Sequence, residues 1–457
     1  MASTKRLGFV RDYVNRVARS SPARLALGVF ALIIAVETLL LQLPAATATG
    51  KRAPFIDSLF QATSAVCVTG LTTTSIANDW SFFGQLILAF GMKIGGLGVM
   101  TMASILALAV SRHIGLTQRM LAAMETKSED RLGAVGSLIR AVIVTSLSCE
   151  ILIFAVLLPR FLTLHEHVAT AVWHAFFTAL SIFNNVGFVA LPEGLEAHVG
   201  DWWLITPVIA GTFAGALGFP VMLDLRHHWR RPRDLTLHSK LTLTTYVAIF
   251  LAAALIIAAS EWNNPDTFGP LALHEKIQTA LLFGVNSRSS GLTTIDVSQM
   301  TRGSWFLLDI LMFIGGGSAS TAGGIKVTTV AVMTLAIIAE ARGDQDIEAF
   351  GRRVPPSTLR LAVGVVGLGT LIVAFSVFFL LLVTPYTLDV ISFEVISAFA
   401  TTGLSVGITA DLPLIGKYWL VALMFAGRTG TMTLAAALAL RDRRRLIRMP
   451  EERPTIG

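Results

Sequence analysis

The hydrophobic pattern along the chain is a succession of apolar runs of about 20 residues, the length a helix needs to cross a hydrocarbon core of roughly 30 Å. Leu25 to Ala46 is the first clear case. It is too long for a cleaved signal and is followed by many equally apolar runs, so the pattern predicts a chain that stays in the membrane. The runs group into four units, 24–111, 138–226, 240–341 and 359–441, between tails 1–23 and 442–457. Each unit reads as a long apolar segment, a shorter run ending in a polar glycine-containing stretch, and a second long apolar segment, which points to an internal repeat.

The short runs cover Ile56 to Val66, Ala169 to Ile182, Ala272 to Val285 and Val390 to Phe399, too short to span the bilayer. They predict half-helices that enter the bilayer and stop. The stretches that follow hold Cys67-Val68-Thr69-Gly70, Asn184-Asn185-Val186-Gly187, Ser289-Ser290-Gly291 and Thr401-Thr402-Gly403. Irregular backbone at membrane depth is tolerated only where protein or a water-filled cavity shields it, so the four loops are expected to converge on one axis. Inward-facing carbonyls would then replace the hydration shell of a cation. Glycine suits this task because it lacks a Cβ and adopts backbone angles closed to other residues. The C-terminal ends of the half-helices would add negative potential at the lumen. One such glycine reads as packing in a bundle turn, whereas four at matching places favour a filter.

Composition supports the bilayer class: 54% of the 457 residues are hydrophobic and 14% charged. A formal charge of +7 raises nucleic acid as a partner, but the basic residues cluster at alternate ends of the apolar segments. Lys5 to Arg24 precede the first, Arg441 to Arg453 follow the last, and Arg112 to Arg140, Arg226 to Lys240 and Arg342 to Arg360 connect the units. The positive-inside rule assigns all of these, and both termini, to the cytoplasm and leaves nucleic acid unsupported. The acid-rich connections around Glu193 to Asp201 and Glu261 to Glu275 are expected outside. Cys67 and Cys149 lie in or beside apolar segments and imply no disulfide framework.

These motifs, in this order and spacing, resemble the Ktr/Trk/HKT superfamily of potassium uptake proteins, and within it the bacterial KtrB-type membrane subunit. Carrying the resemblance are Val68-Thr69-Gly70, Asn184-Asn185-Val186-Gly187-Phe188, Arg288-Ser289-Ser290-Gly291, Thr401-Thr402-Gly403-Leu404-Ser405 and the segment Gly315-Gly316-Gly317-Ser318-Ala319-Ser320-Thr321-Ala322-Gly323-Gly324-Ile325-Lys326. It implies an all-α integral membrane protein of four outer-helix, pore-helix, inner-helix repeats, with eight spanning helices and four re-entrant loops around one pore. It implies potassium selectivity at Gly70, Gly187, Gly291 and Gly403. The third loop departs from the family pattern, with Ser289-Ser290 and Leu292 in place of Thr-Ala and Phe. The resemblance further implies a homodimer in the cell (inner) membrane resting on a cytosolic ring of KtrA-type subunits, which bind the regulatory nucleotide. This chain would have no cofactor of its own; potassium is the transported ion, and the resemblance leaves sodium dependence open.

Residues 315–326 interrupt the second apolar segment of the third unit, and their five glycines disfavour a continuous helix. A phosphate-cradling loop needs lysine directly after glycine, whereas Ile325 intervenes before Lys326. A gate below the filter is the better reading, formed by Gly315, Gly316, Gly317, Ser318, Ala319, Ser320, Thr321, Ala322, Gly323, Gly324 and Lys326. The resemblance places Arg428, a charge inside the last apolar segment, in the lumen beside it. An intramembrane cation costs roughly 2.5–3.5 kcal/mol unless paired or facing water. Arg288 is expected to brace the third loop from behind, because a cation in the lumen would repel the permeating ion. Lys93 stands where the family leads to glutamine and has no role in the pattern; Glu37, Glu150, Asp309 and Glu394 read either as structural pairs or as groups of the transport chemistry. Catalysis finds no metal-ligand spacing or nucleophile elbow. A proton-coupled transporter with inverted repeats would need units of opposite orientation, whereas all four begin and end on the basic side.

Overall fold

The computed structural model describes residues 22–114, 131–165 and 167–430. The expected cytoplasmic tails 1–23 and 442–457, and most of the first basic connection, lie outside the described residues, apart from Pro22 and Ala23. The four short apolar runs are helical and are followed by non-helical glycine stretches. In the first unit the elements are α1 (Pro22–Leu41), α2 (Phe55–Val66) and α3 (Phe82–Ile114). In the second they are α4 (Arg131–Leu164), α5 (Val168–Phe183), α6 (Trp202–Leu217) and α7 (Phe219–His228). The third holds α8 (Leu237–Glu261), α9 (Leu273–Asn286), α10 (Arg302–Ile314) and α11 (Val327–Arg342). The fourth holds α12 (Pro356–Val383), α13 (Leu388–Ala400) and α14 (Leu414–Phe425), the last running into a π-helical turn at Ala426–Gly430.

Packing closes these elements into a ring. Each short helix packs on the long helix before it: α2 on α1, α5 on α4, α9 on α8 and α13 on α12. Each also packs on a helix of the preceding unit: α5 on α3, α9 on α6, α13 on α10, and α2 on α14. The last pairing joins the fourth unit to the first. The fold is the reverse of a soluble one, with Leu32, Phe90, Leu255, Leu371 and Leu382 on the outside, while Gln61, Thr63, Ser64, Asn184, Asn185, Thr401 and Thr402 are buried at the centre. That distribution suits a chain whose outer solvent is hydrocarbon and whose polar backbone must be satisfied within the protein.

Three features differ from the sequence expectation. The all-α class is interrupted by an antiparallel hairpin, β1 (Ile347–Ala349) with β2 (Arg352–Val354), in the connection between α11 and α12. Phe350 and Gly351 both have positive φ, the geometry of the two-residue turn that matches strand twist. The second apolar segment of unit two, expected as one span, bends by 98° between α6 and α7. Gly218 sits at that corner with φ +95°, and a Cβ there would overlap the Ser318 carbonyl of the glycine-rich segment. Thirdly, three helices among the described residues are long and apolar enough to cross a bilayer unaided, Ile139–Leu164, Leu237–Glu261 and Pro356–Val383, and the bent pair would make a fourth.

Unit three is anchored by Glu261 at the end of α8, which is fully buried and accepts hydrogen bonds from Asn264 (2.7 Å), Thr267 (2.7 Å), the Thr301 N–H (3.0 Å) and hydroxyl (2.8 Å), and Ser304. It ties α8 to the first turn of α10. Removing the acceptor leaves several donors unpaired, at about 1–3 kcal/mol for each that remains dry. Glu261→Leu is therefore expected to lower the thermal midpoint in detergent, followed by size exclusion, clearly more than Glu261→Gln, which keeps an acceptor oxygen. Equal midpoints would remove this anchoring role.

Candidate cation pathway

The glycine stretches begin where the short helices run out of partners. In units one, two and four the residue two before the glycine is left-handed: Val68 (φ 58°), Asn185 (58°) and Thr401 (49°). The next N–H turns back to the helix five residues earlier, from Thr69 to Ser64 O, Val186 to Ser181 O and Thr402 to Ser397 O. The glycine N–H then donates to a serine hydroxyl six positions before it: Gly70 to Ser64 (3.0 Å), Gly187 to Ser181 (3.1 Å) and Gly403 to Ser397 (3.1 Å). Amides are thus drawn back toward the half-helices, which leaves the carbonyl side of each strand available to the axis. Gly70, Gly187 and Gly403 have φ between 87° and 95°, a region that excludes other residues without strain.

Across the units the strands touch in cyclic order. A Cβ on Gly70 would overlap the Val186 carbonyl, one on Gly187 the Ser290 carbonyl, one on Gly291 the backbone of Thr402 and Gly403, and one on Gly403 the Thr69 carbonyl. Each glycine lacks a side chain because the strand of the next unit occupies its place. Cys67, Val68, Thr69, Asn184, Asn185, Val186, Ser289, Ser290, Thr401 and Thr402 are buried, while all four glycines keep accessible surface.

The third strand is built differently. Val285 stands where the other units have the capping serine, the left-handed non-glycine residue is Ser290 (φ 84°), and Gly291 has φ 57°. Arg288 is fully buried and directed at α8, with its guanidinium 3.8 Å from the Tyr246 ring, donating to Tyr246 O (3.3 Å) and Gly284 O (3.2 Å).

On the helix side of the ring lies the glycine-rich segment between α10 and α11. Gly317 N–H donates to Ala216 O (2.8 Å), Thr321 N–H to Gly215 O (3.3 Å), and Phe219 N–H to Ala319 O (3.1 Å), so the segment fills the corner between α6 and α7. Its Thr321 hydroxyl meets the Asn185 side chain and Phe183 O, and a Cβ on Gly323 would overlap Thr401. Ser320 bonds Gly317 O (2.6 Å), Ser318 pairs with Thr328 (2.9 Å), and Lys326 donates back to Ala322 O (2.7 Å) and Gly323 O (3.3 Å). A Cβ on Gly315 or Gly316 would overlap Gly323 O or Ala322, and Gly324 lies against Gly315, so the segment also packs on itself. Arg428, in the π-helical turn, is buried within electrostatic reach of Lys326 and Cys67, and its guanidinium nitrogens have no hydrogen-bond partner among the described residues.

On the opposite side of the glycines is a cavity of about 310 Å³ lined by Gly70, Gly403, Ser405, Thr409, Glu196 and Asp296, among others. Burial, and Asp296 beside it, hold the Glu196 carboxyl above its ordinary range. Glu394 on α13 accepts from Ser405, Val406 N–H (3.1 Å) and Thr409 (2.9 Å), fixing the strand that leads from Gly403 to this cavity. Gln61, nine residues before Gly70 as Glu394 is before Gly403, holds the corresponding strand of unit one by donating its amide to the Thr74 hydroxyl (2.9 Å). Sequence reasoning missed the capping serines and Gln61, although a serine six positions before three of the four glycines was a visible signal.

Four mutually shielding loops on half-helices, with acid at one mouth and a glycine-rich segment at the other, define a membrane protein for moving cations. The TrkH family, described as cation transport protein, matches residues 14–444. The chain is 34% identical to the Ktr system potassium uptake protein D of Bacillus subtilis over 442 residues, 96% of this chain and 97% of that protein. It is also 34% identical to the Ktr system potassium uptake protein B of the same organism, covering 94% of this chain and 95% of the relative. A solved structure of the potassium transporter TrkH from Vibrio parahaemolyticus shares the fold, with a TM-score of 0.68 over 90% of this chain and 83% of that one at 16% identity. The chain belongs to the TrkH family of cation transport proteins.

Gly70→Ser forces a side chain into the Val186 carbonyl and is expected to lower the potassium-to-sodium flux ratio in proteoliposomes, whereas Gly367→Ala, with open space around it, should leave the ratio at wild type. If the two variants behave alike, the ring is not the selective element. At the acidic mouth, a carboxyl held above its usual range is neutralised earlier as pH falls, so cation attraction there weakens at mildly acid pH. Flux at low cation concentration is expected to fall on acidifying that side, and Glu196→Gln should flatten this dependence; an unaltered pH profile would exclude Glu196 from the approach route.

Proposed function

We propose that this chain is the potassium-selective, ion-translocating membrane subunit of a bacterial potassium uptake system, channel-like and driven by the membrane potential. The observation that carries the reading is the cyclic contact of Gly70, Gly187, Gly291 and Gly403, each seated against the strand of the next unit. In this reading the backbone of Cys67 to Gly70, Asn184 to Gly187, Ser289 to Gly291 and Thr401 to Gly403 replaces the hydration shell of potassium. Four outer-helix, pore-helix, inner-helix repeats, 24–111, 138–226, 240–341 and 359–441, make eight spans. The bent α6–α7 pair counts as one, and α10 with α11 as another. The basic connections face the cytoplasm with both termini, and the cavity with Glu196 and Asp296 faces outward. The protein works in the cell (inner) membrane as a homodimer on a cytosolic KtrA-type ring that binds nucleotide in its place, with sodium as activator.

The segment Gly315 to Lys326 and Arg428 form the gate. Supporting this are the segment's seat against Asn185, Phe183 and Thr401 at the inner end of the ring, and a buried guanidinium beside it. A second reading, sodium permeation through the same architecture, is favoured by the third strand, which lacks the capping serine and differs in its backbone.

Rubidium or potassium uptake into proteoliposomes under a potassium diffusion potential, with sodium varied on each side, separates the two. An inside-negative potential contributes about 2.3 kcal/mol per 100 mV for each entering cation, so uptake is expected to follow voltage without hydrolysis. Flux indifferent to voltage would overturn the electrogenic pathway, and sodium flux equal to potassium flux would select the second reading. Removing Gly316 to Gly323 is expected to raise flux and weaken control by the cytosolic partner while leaving the potassium-to-sodium ratio intact. Arg428→Ala should act in the same direction with smaller amplitude. A folded deletion variant with wild-type flux and full regulation would sink the gate.

A further inference from the structure

Lys93 on α3 and Glu150 on α4 form an ion pair, with Lys93 Nζ 2.7 and 2.6 Å from the two carboxylate oxygens of Glu150. The fully buried Ser146 lies one turn before Glu150 and accepts from the same ammonium at 2.9 Å. Two further donors reach Glu150 Oε1: the Ser146 hydroxyl at 3.2 Å and the side-chain amide of Asn184 at 2.9 Å. Asn184 is the residue that closes α5 and opens the second strand, and its amide also donates to Leu180 O at 2.8 Å. The other face of the Asn184 side chain is pressed on α3, where a Cβ on Gly96 would overlap its oxygen. One turn of α3 thus holds both the cation of the pair and the glycine surface against which Asn184 is packed. Gly95 in that turn is seated on Val66 O at the end of α2, so the same turn abuts the first strand's half-helix.

We infer that the Lys93–Glu150 pair is a specificity-determining positioning element: it holds the Glu150 carboxylate where it fixes Asn184, and so sets the second strand whose Val186 carbonyl seats Gly70. The inference rests on the filter reading above. An acceptor in this setting has to be satisfied, and an oxygen at position 150 held by the Lys93 ammonium keeps a single orientation, which one without the ammonium would not. The hydrogen bonds of Lys93 go to Glu150 and Ser146, so it acts through Glu150. The positive charge is therefore a feature of this chain's wall, and its effect on permeating ions is geometric.

The test is competitive rubidium and sodium flux with the full chain in proteoliposomes, folding being checked by monodisperse elution in detergent. Rubidium flux by the wild-type chain tests the filter reading independently, since its absence would defeat that reading before any variant is compared. Glu150→Gln retains an oxygen for Asn184 and is expected to keep the rubidium-to-sodium ratio within about two-fold, whereas Glu150→Leu should lower it by about five-fold or more, the scale of one lost buried hydrogen bond. The deciding variant is the charge exchange Lys93→Glu with Glu150→Lys. It restores an ion pair between α3 and α4 but offers Asn184 no acceptor at position 150. A ratio that stays low in a folded exchange variant supports action through Asn184, and a ratio restored to wild type overturns it in favour of a plain helix brace. Lys93→Gln gives a second route that conserves a donor: a lowered ratio with rubidium flux retained supports the inference, and a wild-type ratio counts against it.

Discussion

A backbone amide or carbonyl with no partner in hydrocarbon costs several kcal/mol, and this cost governs the architecture. Four stretches of this chain leave the helix at the centre of the fold, and three of them return their N–H groups to their own half-helix. The recurrence is atomic: an amide to the carbonyl five residues back, then the glycine amide to the serine hydroxyl six residues back, in three of the four units. In the proposed reading the other side of each strand turns its carbonyls toward the axis. A row of such acceptors in a membrane is stable only beside water or a cation, so structural necessity and the chemistry of ion binding coincide.

The same constraint joins the strands to one another. Each glycine is occupied by the backbone of the following unit, so no strand can be altered without displacing its neighbour. The half-helices are shared in the same cyclic sense, each wedged between its own first helix and a helix of the unit before. In the proposed reading selectivity and gating are adjacent but not identical: Thr321 touches Asn185, the left-handed residue of the second strand, and Gly323 is seated on Thr401, its counterpart in the fourth. Movement of the glycine-rich segment would begin at the inner ends of two of the four strands while the serine-capped glycines stay held from behind.

Buried charges in this fold are treated in three distinct ways. Glu394 and Glu150 are saturated with donors and fix strands or strand ends. Arg288 lies over the face of Tyr246 and bonds to carbonyls, which screens its charge from the axis. Arg428 has neither, and it stands near Lys326 and Cys67, between the glycine-rich segment and the first strand. A buried guanidinium with no acceptor among the described residues is unsettled, which makes it suited to a site whose surroundings change.

Much of this was legible from the order of residues. Apolar run length specified a membrane chain, and run length again separated half-helices from spans, because a segment such as Ile56 to Val66 cannot cross a bilayer whatever surrounds it. Four glycines at matching places indicated four special backbones, and five glycines in 315–326 indicated a break between α10 and α11. The 98° corner at Gly218 was not legible, because one glycine in an apolar segment is compatible with a straight helix, and only the approach of Ser318 from another unit decides otherwise. Nor was the partner of Lys93, since residues 93, 150 and 184 lie far apart in sequence and meet only when units one and two are packed. Periodicity and propensity are local and survive in the sequence, whereas the seating of each glycine on the next strand and the pairing of buried charges depend on distances between units, which the tertiary structure alone sets.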